Sequence, residues 1–245
     1  MPLTSGNMQT QLIVALDVPG IGDVEPVLDT LSDSVSWYKV GLELFTAAGP
    51  TVLEILQRRE KRIFLDLKLH DIPNTVAAAA RAAARHKVDL LTVHAAGGRA
   101  MLAAAAQAAA DYGAQAPRLI AVTTLTSLSQ EDLRDIGVER SIPDQAAALG
   151  RLALDSGIDG LVCSVHELER LRSEFGPQPL LVTPGIRLQQ DEVGDQKRVA
   201  TPGEAARLGS SFLVVGRSLL TAPDPAATAQ TMLRAIRAEI PTPKE

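Results

Sequence analysis

The sequence predicts a single α/β domain over residues 1–245: a closed (β/α)8 barrel of the TIM-barrel type. Three observations predict it. Short β-rich runs alternate with longer helical segments eight times along the chain. The strand runs are nearly continuous in apolar residues, the pattern of parallel strands covered on both faces by helices. The 245 residues match the roughly 250 that such a barrel takes. A doubly wound open sheet shares the alternation and competes with the barrel, because periodicity does not report closure. No composition shift marks a domain boundary, and residues 1–11 are expected to form a flexible N-terminal tail.

Leu12–Asp17 (LIVALD) is the first strand, and Val24–Leu31 is the helix after it. Ser36–Val40 (SWYKV) is the second, followed by a helix near Pro50–Glu60. Arg62–Leu67 (RIFLDL) is the third, followed by an alanine-rich helix from Asn74 to His86. Asp89–His94 (DLLTVH) is the fourth, with a helix through Met101–Asp111. Alanine is the best helix former, so Ala77–Ala84 and Ala103–Ala110 read as packed helices, not as low-complexity chain. Arg118–Val122 is the fifth strand, followed by helices over Ser129–Arg134 and Gln145–Ser156. Gly160–Cys163 is the sixth, followed by Glu167–Phe175. Leu180–Thr183 is the seventh, and Pro202–Leu208 is helical. Phe212–Val215 (FLVV) is the eighth, and a helix over Ala226–Glu239 comes last.

Composition excludes several function classes. One Trp, two Tyr and four Phe are too few for a single-strand nucleic-acid binder that stacks bases on aromatic rings. The net charge of −5 provides no basic field for DNA or an anionic membrane. Neither partner is expected, and an anionic ligand needs a local pocket. The lone Cys163 allows no intrachain disulfide and no thiolate zinc cluster. His94 and His166 lack metal-ligand spacing, so no metal is expected and both read as structural. The segment Met1–Thr10 has no basic leader region and the apolar run Leu12–Leu16 is too short for one. No apolar stretch is long enough to span a membrane. A reducing, cytoplasmic setting fits.

In such a barrel, function sits at the C-terminal ends of the strands, and unusual polar residues recur there. Asp17 ends the first strand and Lys39 lies in the second, both charges inside apolar runs. A surface turn would explain Asp17 and a snorkelling side chain Lys39. The third strand carries Asp66 and leads into Lys68 and, past the strand end, Asp71. Asp66 and Lys68 are two apart, so they share a face of an extended strand. Buried charges are tolerated only when paired. Two carboxylates beside Lys68 would hold it as a cation, each contact at 4 Å giving up to about 4 kcal/mol at an effective dielectric near 20. Such a lysine donates protons; a Schiff-base lysine needs the uncharged amine. A structural ion-pair network at a barrel end is the plainer reading.

The fifth strand leads into Thr123–Ser127 (TTLTS), either a polar edge for a planar ligand or a capped loop. The seventh leads into Thr183–Arg187 (TPGIR), and a long polar loop follows through Gly194–Arg198. The eighth ends at Gly216 and Arg217 before a short helix. Loops after strands seven and eight plus a helix start form the usual phosphate cradle of this architecture. Glycine lets a phosphate approach the backbone, and arginine supplies a charged fork. The long loop is a candidate lid. An exposed helix-start arginine is the plainer account of Arg217.

Taken together these segments closely resemble the orotidine 5′-phosphate decarboxylase family, in its bacterial short-chain type. The resemblance runs from Ala15–Gly20 (ALDVPG) to Val215–Leu219 (VGRSL). Its most specific segment is Phe64–Thr75 (FLDLKLHDIPNT), and Val182–Arg187 (VTPGIR), Gly194–Arg198 (GDQKR) and Val214–Ser218 (VVGRS) also match. No functional position departs from the pattern. The resemblance implies cofactor-free loss of CO₂ from orotidine 5′-phosphate to give UMP, the last step of de novo pyrimidine synthesis. It implies that Asp17 and Lys39 bind the ribose hydroxyls. Asp66, Lys68 and Asp71 would form a charge network around the pyrimidine C6, with Lys68 as proton donor. Asp71 and Thr75 would reach the neighbouring subunit of a homodimer, with Asn74 beside them. Thr126 and Ser127 would meet the pyrimidine edge. Gln196, Gly216 and Arg217 would bind the phosphate, with Pro184 and Arg187 in the adjoining segment. A related metal-dependent sugar-phosphate decarboxylase of the keto-gulonate phosphate type shares the Asp-x-Lys-x-x-Asp strand and is the competing enzyme reading. A silent nucleotide-binding barrel would not need Lys68 flanked by acids.

Overall fold

The structure, a computed structural model, describes residues 9–188 and 200–239. Eight strands alternate with helices: β1 (Gln11–Ala15), α1 (Val24–Leu31), β2 (Trp37–Val40), α2 (Leu42–Ala48), α3 (Thr51–Arg58), β3 (Arg62–Leu69), α4 (Pro73–Arg85), β4 (Leu90–His94), α5 (Gly98–Ala110), β5 (Arg118–Val122), α6 (Gln130–Asp135), α7 (Ile142–Leu154), β6 (Gly160–Val162), α8 (Val165–Phe175), β7 (Leu180–Thr183), α9 (Pro202–Arg207), β8 (Phe212–Val215), α10 (Arg217–Leu220) and α11 (Pro225–Ala238). Each strand pairs in parallel with the next, and β1 pairs with β8 through Gln11–Phe212 to Val14–Val215. That pairing closes the sheet and excludes the open-sheet alternative.

Because side chains alternate along a strand, each strand feeds two cores. Leu12, Val14, Tyr38, Ile63, Leu65, Leu91 and Val93 belong to the cluster shared with the surrounding helices. Ile13, Trp37, Phe64, Leu90, Ile120, Val182 and Phe212 form a second cluster inside the barrel. Trp37 meets Phe212 edge-on, with ring centroids 5.0 Å apart, a favoured aromatic geometry. The Arg62 guanidinium lies over the Trp37 ring at 5.0 Å. The N-terminal face is tied by carboxylates that precede strands. Asp89 accepts from the Ile63 N–H at 2.7 Å, and Asp159 from the Leu119 N–H at 2.8 Å. The Arg172 guanidinium of α8 donates to the carbonyls of Gly209, Gly176 and Pro179 and to the Ser211 hydroxyl.

Several element bounds differ from expectation. β1 starts at Gln11, and Thr10 is buried with its hydroxyl donating to the Ser210 carbonyl at 2.8 Å. Ordered chain therefore begins before the expected end of the tail, whose first eight residues lie outside the described ones. Helix α2 is an addition, closed at Gly49, where φ is +60°. α7 and α8 start earlier than the apolar pattern suggests, because Ser141 and Ser164 cap them. β3 runs two residues further than expected. Its pairing with β4 jumps from Leu65–Leu91 to Leu69–Val93, so β3 gains two residues on its partner.

Candidate active site

The inner rows change character toward the C-terminal end of the barrel. Two residues beyond Trp37, Phe64 and Leu90 stand Lys39, Asp66 and Thr92; two beyond Ala15 stands Asp17. The alternation that builds the core thus aims these polar groups at the barrel mouth. They form one chain of alternating charge. Lys39 Nζ lies 3.1 Å from Asp17 Oδ1 and 3.8 Å from Asp66 Oδ2. Lys68 Nζ lies 2.9 Å from both Asp66 oxygens. The Asp66 and Lys39 side chains are 12% and 13% exposed, so each charge is largely desolvated and needs the pairing it has.

Lys68 does not reach Asp66 by simple strand alternation. Its backbone is left-handed, with φ of +51°, inside the irregular stretch of β3. Bulges of this kind re-aim a side chain. Thr92 holds the distortion: its hydroxyl accepts from the Lys68 N–H at 2.8 Å and donates to Asp66 Oδ1 at 3.0 Å. Thr92 is fully buried and escapes a search for charges. Its place in the inward row of β4 is the signal that could have found it.

Asp17, Lys39, Asp66, Lys68, Thr126, Pro184, Arg187, Gly216 and Arg217 line one cavity of about 270 Å³. Thr124 and Leu125, from the Thr123–Ser127 edge read in the sequence, and Ser218, the last residue of the Val214–Ser218 segment, join them. At the β1–β8 seam, a Cβ on Gly216 would sit 2.8 Å from Asp17 Oδ2, closer than real side chains allow. A larger residue there would push the Asp17 carboxylate from its place. Arg187 Nε is buried without a partner among the described residues, as expected of a guanidinium awaiting an acceptor. The Arg187 N–H donates to the Ala200 carbonyl at 3.0 Å, and the Ala200 N–H to Gly185 at 3.2 Å. This bridge draws both flanks of residues 189–199 together beside the cavity. Gln196 and the expected lid lie outside the described residues.

Four expected site residues stand elsewhere. Asp71, Asn74 and Thr75 are exposed around the start of α4 and do not line the cavity of their own chain. Asp71 Oδ1 instead accepts from the Ile72 N–H at 2.6 Å. The chain turns into α4 at Pro73, carrying these residues outward. The expectation of two carboxylates on Lys68 within one chain is therefore corrected to one carboxylate, Asp66, between two lysines. Ser127 is also exposed and off the cavity wall. His94 is drawn toward the site: its ring lies 5.4 Å from His70. Burial, then the charges of His70 and Lys68, hold its pKa below the ordinary value, with Asp66 opposing. Among the described residues, no group of three or more His, Cys, Asp or Glu side chains could hold a metal ion.

The sequence matches the profile of the orotidine 5′-phosphate decarboxylase / HUMPS family over residues 10–232. The chain belongs to that family. Among family members named orotidine 5′-phosphate decarboxylase, that of Moorella thermoacetica is 52% identical over 235 residues, covering 94% of this chain and 92% of its own. That of Nostoc sp. is 49% identical over 220 residues, covering 88% and 92%. That of Opitutus terrae is 46% identical over 230 residues, covering 94% and 100%. The crystal structure of the Lactobacillus acidophilus orotidine 5′-phosphate decarboxylase superposes with a TM-score of 0.83 at 38% identity, over 93% of this chain and 99% of that one. The family's architecture is the closed barrel described above. Among the described residues, no helix is long and apolar enough to cross a membrane.

Proposed function

We propose that this chain decarboxylates orotidine 5′-phosphate to UMP, completing UMP synthesis in the cytoplasm. The observation that carries the reading is the Asp17–Lys39–Asp66–Lys68 chain of alternating charge lining a cavity that Gly216, Arg217 and Arg187 also line. In the reaction the C6–carboxylate bond breaks, CO₂ departs, and the electron pair remains on C6. The Lys68 ammonium stabilises that charge and passes one proton to C6; the resulting amine regains a proton from solvent. Asp66 fixes Lys68 in position. Asp17 and Lys39 bind the ribose hydroxyls. Arg217, Gly216, Arg187 and Gln196 hold the phosphate, with Pro184 beside them. Thr126 and Ser127 serve the pyrimidine edge. Phosphate contacts remote from C6 contribute binding energy realised in the transition state.

The protein acts as a homodimer in which Asp71 and Thr75, with Asn74, complete the neighbouring site. Their exposed position around the start of α4, beside Ile72 at 66% exposed, supports this reading. The chemistry needs no cofactor. The decisive experiment adds purified protein to orotidine 5′-phosphate and follows the loss of orotate absorbance. Absorbance loss with UMP as product, unaffected by EDTA, is expected. No change in absorbance overturns the reading, and activity abolished by EDTA favours the metal-dependent sugar-phosphate type.

A further inference from the structure

The wall between β5 and β6 holds two adjacent threonines with different circumstances. The Thr123 hydroxyl donates to the Val162 carbonyl at 3.0 Å, tying the end of β5 to β6. Thr124 is 3% exposed and lines the cavity between Val122 and Thr126. Its hydroxyl oxygen is buried and has no hydrogen-bond partner among the described residues. A hydroxyl left so costs stability, whereas valine would fill the same volume without that cost. Stability of the empty protein therefore does not account for threonine here. Such a group calls for a partner from outside the chain.

We infer that Thr124 is a specificity-determining residue whose hydroxyl hydrogen-bonds a polar edge atom of the ligand's ring. The inference rests on the nucleotide reading of the cavity. A hydroxyl both donates and accepts, so it suits a ring edge that alternates carbonyl oxygens with an N–H. Rotation about χ1 exchanges the hydroxyl and methyl positions, letting the side chain turn its oxygen to an arriving ligand. The charged groups across the cavity supply affinity for ribose and phosphate, which every nucleotide carries. Thr124 distinguishes the base.

The test measures binding of UMP and of ribose 5-phosphate, which lacks the ring, to the full chain and its variants. Thr124→Val should weaken UMP about 10-fold, the factor that ~1.4 kcal/mol represents, and leave ribose 5-phosphate unchanged. It should also raise the melting temperature of the unliganded protein. Thr124→Ser should restore UMP affinity, and Thr124→Ala, which asks nothing of the packing, should show the same selective loss as valine. Equal weakening of both ligands, or UMP binding unchanged in the valine and alanine variants, overturns the inference. Failure of the unsubstituted protein to bind UMP instead overturns the nucleotide reading beneath it.

Discussion

Lys68 grips both carboxylate oxygens of Asp66 at 2.9 Å from a backbone held at φ of +51°. A left-handed backbone costs a residue with a Cβ about 1–2 kcal/mol, and glycine almost nothing. Lys68→Ala and Lys68→Gly should both abolish turnover while leaving nucleotide binding measurable. In denaturant unfolding, the glycine variant should be the more stable of the two by about 1 kcal/mol. Equal stability would show that the backbone is not strained. Normal turnover in either variant would refute the donor role.

Thr92 joins the two partners, bonding the Lys68 N–H and Asp66 Oδ1. Thr92→Val keeps the shape and strands both groups, at a cost of about 1–3 kcal/mol in stability. If Thr92 positions Lys68 for the proton transfer, kcat should fall about 10-fold with KM little changed, and Thr92→Ser should recover it. A rise in KM at constant kcat would assign Thr92 to binding instead.

Asp71 faces away from its own cavity, so cross-subunit service is open to complementation. Lys68→Ala and Asp71→Asn homodimers should each be nearly inactive. Remixing them one to one should restore about a quarter of full activity, because half of the random dimers hold one intact site. No recovery after confirmed subunit exchange would confine Asp71 to its own chain.

His94 carries a pH signature. Its pKa in the folded protein is depressed below 6.5, first by burial and then by His70 and Lys68. A depressed value means the folded state takes up this proton less readily than the unfolded chain. Stability is thus present above the ordinary value and lost as pH falls through the folded value. The melting temperature should fall as pH drops below the ordinary histidine value of about 6.5, and less steeply in His94→Asn. An identical slope in the variant would show that other groups govern the acid limb.

The strands are legible in the sequence because parallel strands buried on both faces leave apolar runs that turn chemistry cannot mimic. Asp66 and Lys68 are legible because charges inside such a run need a reason. The left-handed turn at Lys68 is not, since lysine has no preference for that conformation. Thr92 is hidden by being an ordinary strand residue, and only its phase betrays it. Asp71 misleads through nearness: three residues past Lys68 in sequence, it lies beyond a turn that faces it outward. Helix α2 escapes because Gly41, Gly49 and Pro50 bracket it so tightly that it reads as loop. The Ser164–Glu167 capping pair could have set the start of α8.

Asp17 and Gly216 meet at the seam where the first strand joins the last. They lie 199 residues apart in sequence, so a growing chain makes seven strands before the barrel can close. The long sequence separation of that contact also makes closure a slow step. A chain stopped before Phe212 lacks the last strand and the Gly216 and Arg217 that follow it at the cavity wall. Chains that stop short of this strand are expected not to retain nucleotide, so ligand binding reports that the barrel has closed.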